Sequence, residues 1–258
     1  MMDKILKSLN VKSIEVQTHV FLHILNIEKI DEPLKKYIDT VLIDIYSKGQ
    51  DTDIKTVKLK LKKYFDSKKD SHIEIGAIAE FFIHLYLNLE KFQQECLYTN
   101  LEENSIKKGF DGIYTKNSEM WIMESKSGHI TTKNISHKNK IEEAYNDLSN
   151  KLSGESNTNN PWKNAYFHAK MANSETDLLV SIKKLEDGYT HGIYTSISDY
   201  NIIPSSTIFY DTTDFSHINL EKINAEIKSF LSGKTYKKIN VICINKKTKN
   251  LFLDYIKN

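Results

Sequence analysis

Three features of the 258-residue chain predict an α/β fold with a mixed central sheet flanked by helices. The stretch from Ile73 to Leu89 is too long an apolar run for one strand and reads as a buried helix. Three short β-like runs follow, Glu95 to Thr99, Gly109 to Lys116 and Met120 to Ser127. Beyond them helical and strand-like patterns alternate, and the order helix, three strands, helix, strand is that of an α/β protein. A composition of 40% hydrophobic and 27% charged residues excludes a disordered chain.

The elements are justified in order. Residues 1–70 mix short apolar runs with lysines and read as a mainly helical N-terminal extension, in which Pro33 opens a helix running from Leu34 to Tyr46. Residues 54–66 fit both periods: Val57, Leu59 and Leu61 alternate, while Ile54, Val57, Leu61 and Tyr64 sit at helical spacing. Residues 71–258 are expected to hold the core and a C-terminal elaboration. In it, Lys116-Asn117-Ser118-Glu119 joins two strands as a hairpin turn. A helix from Lys138 to Leu152 carries Ile141, Ala144, Tyr145, Leu148 and Leu152 on one side. Gly154 to Pro161 is the clearest loop. After it come a helix near 174–186, strands near 191–197 and 206–210, a helix near 219–231, a strand near 238–245, and a strand or helix at 250–256.

Composition narrows the function classes. No run of about 18 uncharged apolar residues occurs, so no membrane span is expected. Met1 to Lys12 has neither the apolar core nor the cleavage site of an export signal. Two cysteines, Cys96 and Cys243, fit a reducing compartment, and the cytoplasm is the expected location. Net charge is only +2, yet all 36 basic residues are lysine. Any grip on phosphate must therefore use ammonium groups, asparagines, hydroxyls or backbone N–H groups, without bidentate guanidinium forks.

The chemistry concentrates between Lys107 and Gly128, KKGFDGIYTKNSEMWIMESKSG. Asp111 opens a strand-like run, and Glu124 and Lys126, two apart on a strand, share a face. Trp121, Ile122 and Met123 before them are apolar on both faces, as in a central strand. A carboxylate and an ammonium at the end of such a strand are costly unless paired or metal-bound. Taken alone, Glu-X-Lys in a lysine-rich chain reads as an ordinary ion pair at a sheet edge; Asp111 upstream at hairpin distance, flanked by glycines, is what raises it above that. Glu80 adds to the pattern, since it interrupts an apolar helix and shares a stripe with Gly76 and His84. That stripe is either the wet side of the helix or the place where Gly76 permits close approach and Glu80 points at the strand ends.

Helix Glu, Gly-X-Asp and Glu-X-Lys together resemble the PD-(D/E)XK nuclease superfamily over about residues 72–200, with Phe110 where the motif has proline. The segments GAIAEFFIHLYL, GFDGIY and WIMESKSG are similar to the DUF1837 family, the HamA-like nuclease subunit of Hachiman-type antiphage systems. The resemblance implies a restriction-endonuclease-like core in which Asp111 and Glu124 hold Mg²⁺ or Mn²⁺. Glu80 would complete the site or orient the attacking water. Lys126 would position or deprotonate that water, its pKa pushed down by the cation and by burial. The resemblance also implies DNA as substrate and a helicase-like ATPase partner. Lys133, Lys138 and Lys140, just after the Glu-X-Lys strand, are the expected phosphate contacts. The alternatives are a stand-alone restriction endonuclease and a non-catalytic nucleic-acid- or protein-binding subunit on the same fold.

Other signals carry less. Gly233-Lys234-Thr235 imitates the end of a Walker A loop, but Lys228 stands where the first glycine belongs and a helix precedes it. Gly112-Ile113-Tyr114 and Gly192-Ile193-Tyr194 lack the Tyr-Ile-Gly of a GIY-YIG nuclease. The histidines show no zinc spacing, and His129 and His137 read as polar loop residues. Asp211 to Asp214 reads as a turn.

Overall fold

The computed structural model describes residues 2–51, 53–98, 109–155, 160–210, 215 and 218–257. The expected turn at Asp211 to Asp214, Thr99 of the first β-like run, Lys107 and the middle of the loop after Gly154 lie outside them. A seven-stranded mixed sheet runs in the order β1-β2-β7-β6-β5-β4-β3. Its strands are β1 (Val11–Gln17), β2 (Val20–Ile27), β3 (Gln93–Gln94), β4 (Gly112–Lys116), β5 (Glu119–His129), β6 (Asn201–Tyr210) and β7 (Lys238–Lys247). The central four, β2, β7, β6 and β5, are parallel, and the pairs at either edge are antiparallel.

Helices cover both faces. On one lie α1 (Met2–Leu9), α2 (Glu32–Ser47), α3 (Ile54–Ser67), α4 (His72–Leu89) and α9 (Asn250–Lys257), packed through Leu42, Leu61, Phe82 and Phe252. On the other lie α5 (His137–Ser153), α6 (Pro161–Met171), α7 (Thr176–Thr190) and α8 (Leu220–Leu231), packed through Leu148, Trp162, Ile182 and Ile227. Among the described residues, no helix is long and apolar enough to cross a membrane.

Local chemistry sets the boundaries. Side chains of Asp31, Asp53, Ser71 and Ser136 cap α2, α3, α4 and α5 by accepting a backbone N–H of the first turn. Asn117 and Ser118 both take positive φ, 52° and 60°, the conformation a two-residue hairpin turn demands. Gly112 opens β4 because a Cβ there would lie 2.7 Å from the Tyr114 ring.

Several expectations are corrected. The N-terminal 70 residues supply two strands as well as helices, and β2 pairs with β7 from Val20 to Ile27, inside the sheet. The run expected at 95–99 forms no strand in its described residues, 95–98; a two-residue strand lies just before it, at Gln93–Gln94. No strand forms at 191–197: β5 already has β4 and β6 as neighbours, and Ile193 and Tyr194 stay 68% and 48% exposed. The helix expected near 174–186 is α7, and it forms a hairpin with α6, which was not expected, with Pro161 in the first turn of α6 and Asn160 capping it. β6 starts at Asn201, five residues before its expected start; its pairing with β7 skips Ile203 and Pro204, where proline has no N–H to give. His137 is no loop residue but the buried first residue of α5, bonded to Ser206 at 2.6 Å and Asn245 at 2.9 Å.

Lys246, fully buried on β7, has its ammonium 4.3 Å from the centre of the Phe82 ring. It has no hydrogen-bond partner among the described residues. Burial pushes its pKa down to about 7. An unfolded lysine keeps its proton to about pH 10.4, so between about 7 and 10 the unfolded state binds the extra proton and stability rises with pH. Below that window the cost of the buried charge is felt in full. Lys246→Met is expected to raise stability by about 2–4 kcal/mol at neutral pH and to flatten the rise relative to the parent. Denaturant melts at a series of pH values check both, and a variant no more stable than the parent at neutral pH contradicts the account.

Candidate active site

β5 is longer than its neighbour β4, and the site occupies the difference. The β4–β5 ladder ends at Gly112 opposite Met123, whereas β5 continues alongside β6 to His129. Past Met123 the backbone of β5 has donors to offer on the β4 side, and the N–H of Ser125 donates to Asp111 Oδ2 at 2.8 Å. Asp111, immediately before β4, is thereby fixed at the notch.

Alternation along β5 sends its side chains to both helical layers. Ile122 belongs to the α5-side core and Met123 to the α4-side core, so Glu124 and Lys126 face α5 while Ser125 and Ser127 face α4. A cavity of about 360 Å³ opens at this point. Glu80 and Gly76 of α4 form one wall, Asp147 and Lys151 of α5 another, and Asp111 with residues 124–127 the floor. Glu80, Asp111, Glu124 and Lys126, each singled out from sequence, therefore come together.

The site is tightly paired. Glu124 is 3% exposed; its Oε1 accepts from Lys126 at 3.1 Å and its Oε2 from Lys151 at 2.6 Å. Lys126 also pairs with Asp147. Burial lowers the Lys126 pKa, but Glu124, Asp147 and Asp111 outweigh it and the net shift is upward. The downward push of burial is as expected from sequence; the carboxylate of Asp147 beside it was not foreseen. Glu80 Oε1 meets His84 Nε2 at 3.3 Å, and His84 Nδ1 meets the Tyr114 hydroxyl. Burial raises the Tyr114 pKa well above its ordinary value, so the phenol keeps its proton and donates to Nδ1. The Nε2–H is then left to donate to Glu80. A buried chain from β4 thus orients the Glu80 carboxylate.

Four carboxylates and two ammonium groups line the cavity, a formal charge of −2. Among the described residues no three His, Cys, Asp or Glu side chains are gathered closely enough to hold a metal ion by themselves. The donors of the notch are two hard-oxygen carboxylates, Asp111 and Glu124, in a concave site carrying excess negative charge.

The expected phosphate contacts are not in the cavity wall. Lys140 pairs with Glu143 at 2.8 Å, its stem lying against Gly128 of β5; Lys133 is exposed and Lys138 half-buried. Sequence reasoning missed Asp147 and Lys151. Their signal was there, one helical turn apart and bordering the buried stripe of Ala144, Leu148 and Leu152. It resembles any surface ion pair.

Gly76 is corrected too. A Cβ there would meet nothing within 4 Å, so it serves no close approach. Gly76→Ala is expected to raise stability by about 0.5–1 kcal/mol, the helix propensity gain of alanine over glycine. A thermal melt checks this, and a loss of stability would show that the wall needs the glycine.

Among curated proteins none matches the chain. A family model, HamA, matches residues 3–258. The chain therefore belongs to the HamA family, the Hachiman-type defence family that its motifs resemble.

Proposed function

We propose that the protein is a metal-dependent nuclease that hydrolyses DNA phosphodiester bonds, the effector of a Hachiman-type antiphage system. One observation carries the reading: Glu80, Asp111, Glu124 and Lys126, from a helix, a loop and a strand, line one cavity where β5 outruns β4. Asp111 and Glu124 would hold Mg²⁺ or Mn²⁺. The fit rests on the donor set: Mg²⁺ typically takes one or two carboxylates and fills its remaining positions with water and substrate phosphate. It rests also on the cavity's formal charge of −2, which one divalent cation balances. Such a cation supplies positive charge for an in-line phosphoryl transition state.

The chain's own residues do the rest. Lys126 Nζ, held between Glu124 and Asp147, presents ammonium hydrogens to the phosphoryl oxygens as charge develops. Glu80, oriented through His84 and Tyr114, accepts a proton-side hydrogen bond from the attacking water. Ser125 and Ser127 on the α4 side of the floor add hydroxyls to the cavity lining.

Purified chain incubated with plasmid, with Mg²⁺ and with chelator, tests this. Cleavage is expected only with the metal. Glu124→Ala or Lys126→Ala is expected to abolish it while the circular dichroism spectrum stays folded. Wild-type cutting by either variant refutes the assignment.

A gating partner, a helicase-like ATPase, is the second part of the proposal. Gly233-Lys234-Thr235 follows helix α8 rather than a strand, so it lacks the setting of a phosphate-binding loop and the chain has no evident means of driving unwinding. Co-expression with the adjacent gene and size-exclusion chromatography are expected to give a complex. A free chain that cuts vigorously at defined sequences and binds no neighbour would establish the restriction-enzyme alternative.

A further inference from the structure

Lys151 and Asp147 stand four residues apart on α5, so one stripe of the helix reaches the cavity twice. Lys151 Nζ takes Glu124 Oε2 at 2.6 Å, and the lysine side chain is only 14% exposed. Asp147 takes Lys126 Nζ, the same ammonium that holds Glu124 Oε1 at 3.1 Å. Neither α5 residue belongs to the Asp, Glu-X-Lys pattern. Each duplicates a charge of that pattern from the opposite side: a second ammonium for Glu124 and a second carboxylate for Lys126. Both oxygens of Glu124 thus accept from ammonium groups, and a cation that coordinates Glu124 competes with them for the carboxylate's charge and remaining lone pairs. Lys126 has Asp147 and Glu124 to hold it; among the described residues, Lys151 Nζ has a hydrogen bond to Glu124 alone.

We infer that Lys151 is a positioning residue that latches Glu124: its ammonium occupies Oε2 in competition with the divalent cation, while Asp147 keeps Lys126 in place when the cation arrives. The inference rests on the metal-dependent reading above and adds to it a built-in threshold for metal. A competing internal cation weakens metal affinity by the free energy of the contact it gives up. An arginine at the same position would grip the carboxylate with a planar fork and raise the threshold.

Titration calorimetry of the full chain with MnCl₂ tests the latch. Lys151→Met is expected to bind Mn²⁺ roughly tenfold more tightly than wild type and to gain more in melting temperature on adding Mn²⁺. Lys151→Arg is expected to bind more weakly than wild type. A residue that merely braces the fold would not move affinity in opposite directions in these two variants. If Lys151→Met fails to fold, the arginine variant decides: weaker binding supports the latch, equal or tighter binding overturns it. Glu124→Gln separates the two levels of the argument. Loss of the Mn²⁺ heat in Glu124→Gln with no change in either Lys151 variant overturns the latch alone. Mn²⁺ binding that is absent in wild type, or indifferent to Glu124→Gln, overturns the metal reading and the latch with it.

Discussion

A carboxylate with 3% of its surface exposed can be accommodated only with close partners, and the architecture around Glu124 provides them. Two lysines reach it, from its own strand and from α5. For both to do so, α5 must pack on the β5 face that carries even-numbered residues, which the Ile141, Tyr145, Leu148 and Leu152 stripe secures. For the site to be open at all, β4 must stop short, and it does so at Gly112, where Tyr114 and Met123 leave no room for a side chain. Buried charge, helix placement and strand length are therefore one constraint seen from three sides.

The sheet's parallel centre explains why this can happen in the interior. β5, β6 and β7 are flanked on both faces by helices, so polar groups there must find partners within the protein. His137, Ser206, Asn245 and Asn26 form such a chain across α5, β6, β7 and β2. Lys246 is one exception: it lies against an aromatic ring with no hydrogen-bond partner among the described residues, a partner that the Thr207 hydroxyl of β6 and Asn240 Oδ1 of β7 also lack. The contrast between a satisfied network and a lone ammonium on neighbouring positions marks where this fold tolerates strain in its stability.

Much of the site was legible in the sequence because its residues break strong local patterns. Glu80 interrupts an apolar helix, and Glu124 and Lys126 follow a stretch of β5 that is apolar on both faces; both readings depend only on periodicity. β2 was not legible as a sheet strand, although VFLHILNI is apolar except at His23 and Asn26, because its partner β7 lies more than two hundred residues later. Residues 191–197 have the alternation of a strand but no sheet position to fill, since pairing is a non-local property. Asp147 and Lys151 were invisible for a related reason: a charged pair on a polar-faced helix acquires meaning only when the strand it covers is known.

The cavity gives the proposed site a physical form: two carboxylates at a strand notch, ammonium groups beside them, and a third carboxylate oriented by a buried histidine. The most direct test is a crystal structure of the full chain soaked with MnCl₂, read by anomalous scattering. The account predicts a manganese peak between the Asp111 and Glu124 carboxylates, within about 2.0–2.5 Å of an oxygen of each. Manganese bound elsewhere, or a soaked crystal in which both carboxylates keep only their lysine and backbone partners, would contradict it.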